Sequence, residues 1–183
     1  EAPAKMADAI AAAKDLDLEY GKKLSVFWGN PDHTWGRLPI IDRLDLLDHA
    51  VPLLRGHKPE FRRPIQAEIH GALRESFDRS YAPRLPELSS LRRLEPHQRK
   101  SYIRTVLYPA RLIYTWDNLA VDSNDRAVEY LHRVHPPGLD LKPIDLALAC
   151  RQEKCAAEDV LALAPNLHKQ FEAAFKYVTA KSH

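Results

Sequence analysis

The sequence predicts an all-α protein, a helical bundle of five to six helices preceded by a short N-terminal extended segment. Two observations carry that reading. From about Ile40 onward apolar residues recur at three- and four-residue steps, the period of a helix with one buried face. The period-two alternation that marks a strand is confined to Leu16-Asp17-Leu18-Glu19-Tyr20, with Leu24 to Trp28 as a second short extended candidate. The chain has 183 residues and 45% apolar content, enough to bury one sizeable core. It divides at the pattern change, with residues 1–39 as an N-terminal helix/strand segment and loop, and 40–183 as the bundle.

Taken in order, Ala4 to Lys14 is Ala-rich and favours helix. Asn30-Pro31-Asp32 and Gly36 to Pro39 are loop chemistry, with Pro and Gly on both sides of Trp35. Ile41, Leu44, Leu47 and Val51, with Leu46 and Leu54 beside them, predict a first bundle helix with Pro52 in its last turn and a stop at Arg55-Gly56-His57. Pro64 suits an early position in the next helix, whose apolar face is Ile65, Ile69, Leu73 and Phe77. Tyr81 to Pro96 reads as a connection.

The third helix, about Glu95 to Asp117, buries Tyr102, Val106, Leu107, Ala110, Ile113 and Tyr114, and Pro109 predicts a kink within it. It is expected at the centre of the core. Ser123-Asn124-Asp125 offers an N-cap ahead of Ala127, Val128, Tyr130 and Leu131, and Pro136-Pro137-Gly138 ends that helix. Leu146 to about Ala156, and Ala157 or Pro165 to Ala180, supply the last two. No internal repeat is present.

Charge and composition narrow the function classes. Lys and Arg number 27 against 25 for Asp and Glu, a net charge of +2, so binding to nucleic acid is not expected from charge. No run reaches the roughly 18 to 20 apolar residues that cross a bilayer, and no secretory leader is visible, so a cytoplasmic location is expected. Cys150 and Cys155 lie five apart in an apparently helical stretch, where a disulfide is awkward, and are expected to be reduced. The chain opens at Glu1-Ala2-Pro3 without Met, which processing, proteolysis or a truncated boundary would each produce.

The stretch Leu107 to Leu131 reads LYPARLIYTWDNLAVDSNDRAVEYL and is similar, without gaps, to a helix-loop-helix of the C-terminal domain of streptomycin/spectinomycin adenylyltransferases. The shared features are Ala110-Arg111-Leu112-Ile113-Tyr114-Thr115, Ser123-Asn124-Asp125, Ala127 and Glu129-Tyr130. Upstream, Val51-Pro52-Leu53-Leu54-Arg55-Gly56 resembles the family's aliphatic-Pro-Leu element, the Pro64 to Leu73 helix follows at a matching distance, and Tyr20-Gly21 matches an aromatic-Gly pair. The resemblance spans roughly residues 16 to 180. It implies a helical domain that closes over antibiotic and nucleotide, with Mg and ATP held jointly with a catalytic N-terminal domain that supplies aspartates and a Gly-Ser phosphate loop.

This chain departs from that pattern in three places. No Gly-Ser element precedes an Asp-x-Asp pair, and Asp15-Leu16-Asp17 has only the local spacing of a metal-binding pair. The family's phosphate-reaching Lys is Asn124, which the resemblance makes the nucleotide-binding position here. The Trp and Asp used on streptomycin align with Lys23 and Ser101.

Five residues of the inter-helix loop, Trp116, Asp117, Asn118, Asp122 and Asp125, combine an aromatic face with carboxylates that suit an aminocyclitol or other small cationic molecule. The same residues also suit a purely structural role, with Asp122 or Ser123 capping a helix and Trp116 packing on the bundle. Arg126 and His132 resemble the Arg-x4-6-His motif of HEPN ribonucleases, but six residues turn a helix by about 600°, so the two do not share a face. His132 and His135 have no partners at metal-site spacing. Arg62-Arg63 and Arg92-Arg93 read as solvated loop charge, with phosphate contact as the alternative in a longer enzyme.

The leading expectation is therefore the substrate-binding helical domain of an aminoglycoside nucleotidyltransferase-like protein, not catalytic alone, with no catalytic or metal-binding residue and no cofactor of its own. Its partners would be a small cationic molecule or a missing catalytic domain. The alternatives are a free-standing helical interaction domain, as a homodimer for instance, and last an HEPN-like ribonuclease.

Overall fold

The computed structural model describes residues 8, 11–12, 28–29, 36–50, 61–163 and 165–181. The expected strands Leu16 to Tyr20 and Leu24 to Phe27, the Asp15-Leu16-Asp17 pair, Tyr20-Gly21, Lys23 and Val51 to His57 lie outside these residues. Asp8, Ala11 and Ala12 are helical, as the Ala-rich run predicts. The two-residue strands β1 (Trp28–Gly29) and β2 (Gly36–Arg37) pair antiparallel, with Trp28 opposite Arg37 and Gly29 opposite Gly36. Gly36–Arg37, expected as loop, is thus the return arm of a small ladder.

All else that is regular among the described residues is helical, and six of the α-helices have ten residues or more. The first is α1 (Ile40–His49), which buries Leu44 and the stem of Arg43. It stops short of the expected Leu54, because Ala50 is already extended (ψ 134°). Helix α2 (Gln66–Ser76) has Pro64 just outside it and Ile65 as N-cap; the Glu68 carboxylate accepts from Ile65 N at 2.9 Å. Ile69 and Leu73 are buried as expected, whereas Ile65 is 59% exposed, since a cap residue precedes the face that the helix turns inward.

Tyr81 to Pro96 is not the connection that the sequence suggested. A π-helical turn over Phe77–Tyr81 and a 3-10 turn over Ala82–Arg84 lead into α3 (Leu85–Ser90). Pro83 and Pro86 sit in the first turns, where a missing N–H costs nothing, and Leu85 and Leu88 are buried one turn apart.

The 23-residue α4 (Pro96–Asn118) is the axis of the bundle. Its N-terminus is closed by Gln98, whose side chain accepts from Glu95 N at 3.0 Å, and its C-terminus by Leu119 in a left-handed conformation (φ 52°) with its N–H on Thr115 O. Twelve of its residues are buried, Pro109 among them. Against it pack α5 (Asn124–Val134), α6 (Lys142–Arg151) and α8 (Leu167–Ala180), with the short α7 (Ala157–Ala162) beside α6. Leu112, Ile113, Leu131, Ile144, Val160 and Phe171 form the centre, each at most 1% exposed. Ser123 caps α5 by accepting from Arg126 N at 3.2 Å, and Asn166 caps α8.

Two expectations near the C-terminus are corrected. Helix α6 begins at Lys142, not Leu146, because Pro143 starts a helix well and buries itself with Ile144. It ends at Arg151, so Cys150 and Cys155 do not share a helix. The chain turns back through Glu153 (φ 60°), Lys154 N donates to Ala149 O at 2.9 Å, and the two Cα atoms come within 4.7 Å. The cysteines are joined as a disulfide, where reduced thiols were expected. None of the described helices is long and apolar enough to cross a membrane.

Candidate functional site

A basic cleft opens where α4, α5 and α6 meet. Lys100, Arg104, Leu107 and Arg111 follow one another on one stripe of α4, spaced at steps of three and four residues. Asn124, the first residue of α5, and Arg151, the last of α6, complete a cavity of about 200 Å3. Four of the six lining residues are cationic and none is a carboxylate. Among the described residues no salt bridge neutralises any of the four cations. With so many guanidinium and ammonium donors converging, the cleft can take a multiply charged oxyanion, since Arg presents a planar fork to phosphate and Lys a point charge.

A larger cavity of about 630 Å3 adjoins the cleft and shares Arg104 and Arg111 with it. Its walls come from the start of α1, the α2–π-turn segment and the middle of α4. Tyr81 lies over Tyr108 with ring centroids 3.8 Å apart, and Tyr108 in turn stacks on Phe171 at 5.5 Å. The Tyr108 hydroxyl donates to Leu73 O at 3.2 Å, and burial holds its proton well above the ordinary phenol range. Asp42 also borders this cavity. Burial, then the neighbouring Asp45, raises its proton affinity, while Arg111 works in the opposite direction.

The residues singled out from the sequence go to several places. Trp116 is 4% exposed, stacked on His70 with centroids 3.7 Å apart and covered by the Arg74 guanidinium at 5.4 Å. Asp117 accepts from the Tyr130 hydroxyl and from Lys181 Nζ, both at 2.8 Å. Asn118 Nδ2 donates to Tyr114 O at 2.8 Å, and Asp122 accepts from the Tyr114 hydroxyl at 3.1 Å and from Ser123 N at 2.7 Å. Asp125 accepts from Gln152 Nε2 at 2.5 Å. Each of these five residues has a partner within the bundle, and none of them borders the cleft or the larger cavity.

Asn124, by contrast, lies in the basic cleft together with Arg111, the arginine of the Ala110 to Thr115 run. Ser101 accepts from Arg84 at 2.8 Å. Arg126 pairs with Glu129 at 3.1 Å, while His132 bonds Asp145 of α6 at 2.7 Å, so the two turn to different partners. Arg62 and Arg63 are paired with Glu68 and Asp48. Among the described residues no three His, Cys, Asp or Glu side chains converge as metal ligands.

The sequence reading missed Lys100, Arg104 and Arg151. The α4 stripe was legible as a helical repeat of cations, but Arg151 reaches the cleft only through the packing of α6. The fold and cleft together define an all-α bundle with a cation-lined cleft between α4, α5 and α6. Comparison with family models, curated proteins and solved structures gives no match.

Proposed function

We propose that this chain is the helical substrate-side domain of a nucleotidyltransferase-like protein resembling the aminoglycoside adenylyltransferases, and that it holds the phosphates of ATP in the basic cleft. One observation carries the reading: Arg111 and Asn124, both in segments that carry the resemblance, line the same cavity although thirteen positions and a loop separate them. The charge absent at Asn124 is made up by Lys100, Arg104 and Arg151, so a polyphosphate still meets several cations.

Bound ATP would supply the nucleotidyl group: the acceptor hydroxyl oxygen bonds to the α-phosphorus, the α–β phosphoanhydride bond breaks, and pyrophosphate and the hydroxyl proton leave. The residues of this chain bind and orient the phosphates. In this reading the metal ligands for Mg come from a catalytic domain, as the resemblance implies.

The test is isothermal titration of the 183-residue chain with ATP, comparing Arg111→Ala with Arg126→Ala, a cation outside the cleft. A charge-assisted contact of about 2 kcal/mol corresponds to roughly thirtyfold weaker binding for Arg111→Ala, with Arg126→Ala unchanged. No ATP binding, or equal effects of the two variants, would reject the proposal and favour a helical interaction domain.

A further inference from the structure

The nucleotide reading uses the larger cavity only at the two arginines it shares with the cleft. We infer that this cavity is the acceptor site and that its acceptor is a phosphorylated, hydroxyl-bearing compound of the sugar-phosphate class, not a polycationic aminocyclitol. The acceptor role rests on ATP occupying the neighbouring cleft. The volume of about 630 Å3 lies within the range of small-molecule sites. Because Arg104 and Arg111 border both spaces, a compound seated here lies beside the phosphates, the adjacency that group transfer needs.

Charge selects the class of acceptor. Of the two carboxylates that line the cavity, Glu75 is paired with Arg79 at 2.8 Å. Asp42 lines the cavity with Arg104 and Arg111, neither of which is in a salt bridge among the described residues. Two guanidiniums against one carboxylate repel a polycation and attract a dianion. Ser80, Tyr81 and Thr115 are hydroxyl-bearing residues of the lining, and Ile41 and Leu73 are apolar ones, a mixture that suits the polar edge and C–H faces of a sugar ring.

The experiment is titration of the chain with glucose 6-phosphate, inorganic phosphate, streptomycin and ATP as separate probes. Glucose 6-phosphate is expected to bind at least tenfold tighter than inorganic phosphate, and streptomycin not to bind. Asp42→Asn removes the negative charge opposite the arginines and should tighten glucose 6-phosphate several-fold, whereas a cation site would be weakened by the same change. Ala72→Leu, at a position that borders the larger cavity and not the cleft, should weaken glucose 6-phosphate and leave ATP unchanged.

Streptomycin binding that Asp42→Asn weakens would overturn the inference, as would inorganic phosphate binding as tightly as glucose 6-phosphate. So would an Ala72→Leu variant that binds glucose 6-phosphate like the parent. Glucose 6-phosphate binding with these variant effects but no ATP binding would sink the nucleotide reading and the acceptor role together, leaving only a sugar-phosphate site.

Discussion

Asn124→Lys places a fifth cation in the basic cleft, at the position where the resembled family carries a lysine. At about 6 Å from a phosphate charge, a lysine contributes about 0.7 kcal/mol if the cleft screens like water and about 2.8 kcal/mol at an effective dielectric near 20. Asn124 is half-buried at the cleft edge, so a value near 1.4 kcal/mol, or about tenfold tighter ATP binding, is expected. The same change has a cost to the fold. Asn124 opens α5, and a cation in a first helical turn opposes the helix dipole by about 0.3–1 kcal/mol, a fall in Tm of about 1–4 °C. The Ser123 cap on Arg126 N is untouched, so helix α5 should persist by circular dichroism. Titration at low and near-physiological salt reads the affinity, and the gain should shrink as salt rises. A variant that folds, melts a few degrees lower and binds ATP no tighter than the parent would refute the placement of phosphates in this cleft.

Three further outcomes follow from the packing. Leu112→Ala empties a fully buried position at the centre of α4 and should cost about 2–5 kcal/mol, read as a lowered denaturant midpoint with unchanged slope. Asp117→Ala leaves the Tyr130 hydroxyl and Lys181 without their acceptor and should destabilise by about 1–3 kcal/mol while ATP affinity stays the same; a change in affinity without loss of stability would instead make Asp117 a ligand contact. His49 bonds Val121 O, which raises its affinity for protons above the ordinary imidazole value in the folded state. Its contribution to stability is therefore fully present below about pH 6.5 and is lost as pH rises through the higher folded value. His49→Ala should flatten that part of the stability profile relative to the parent, and superimposable profiles would exclude the bond to Val121.

The fold class was legible because helices with a buried face write a period into the chain. Tyr102, Val106, Ala110 and Ile113 follow that period, and the structure buries all four along α4. The caps at Ser123 and the stop after Val134 were legible for the same local reason. Misreadings came where prolines stood in helix starts. Pro83 and Pro86 fall in a stretch expected as a connection, and the helix that Pro143 opens was expected only from Leu146; each of the three sits in a first turn, and the burial of Leu85, Leu88 and Ile144 behind them shows it. The cysteine pair was misread because the end of α6 at Arg151 is written by a backbone turn through Glu153, a residue with no turn propensity of its own.

The candidate site divides the same way. From residue types alone, Trp116, Asp117 and Asp122 were the chemically rich loop, and tertiary packing gave each of them an internal partner. Residue order by itself determined an all-α bundle with α4 at its centre, since periodicity, caps and turn residues act over a few neighbours. Only the tertiary structure decided that Lys100, Arg104 and Arg111 meet Asn124 and Arg151, because helices that pack side by side bring together charges from segments as far apart as 51 positions. A net charge of +2 hid that cluster, for composition counts charges and packing places them.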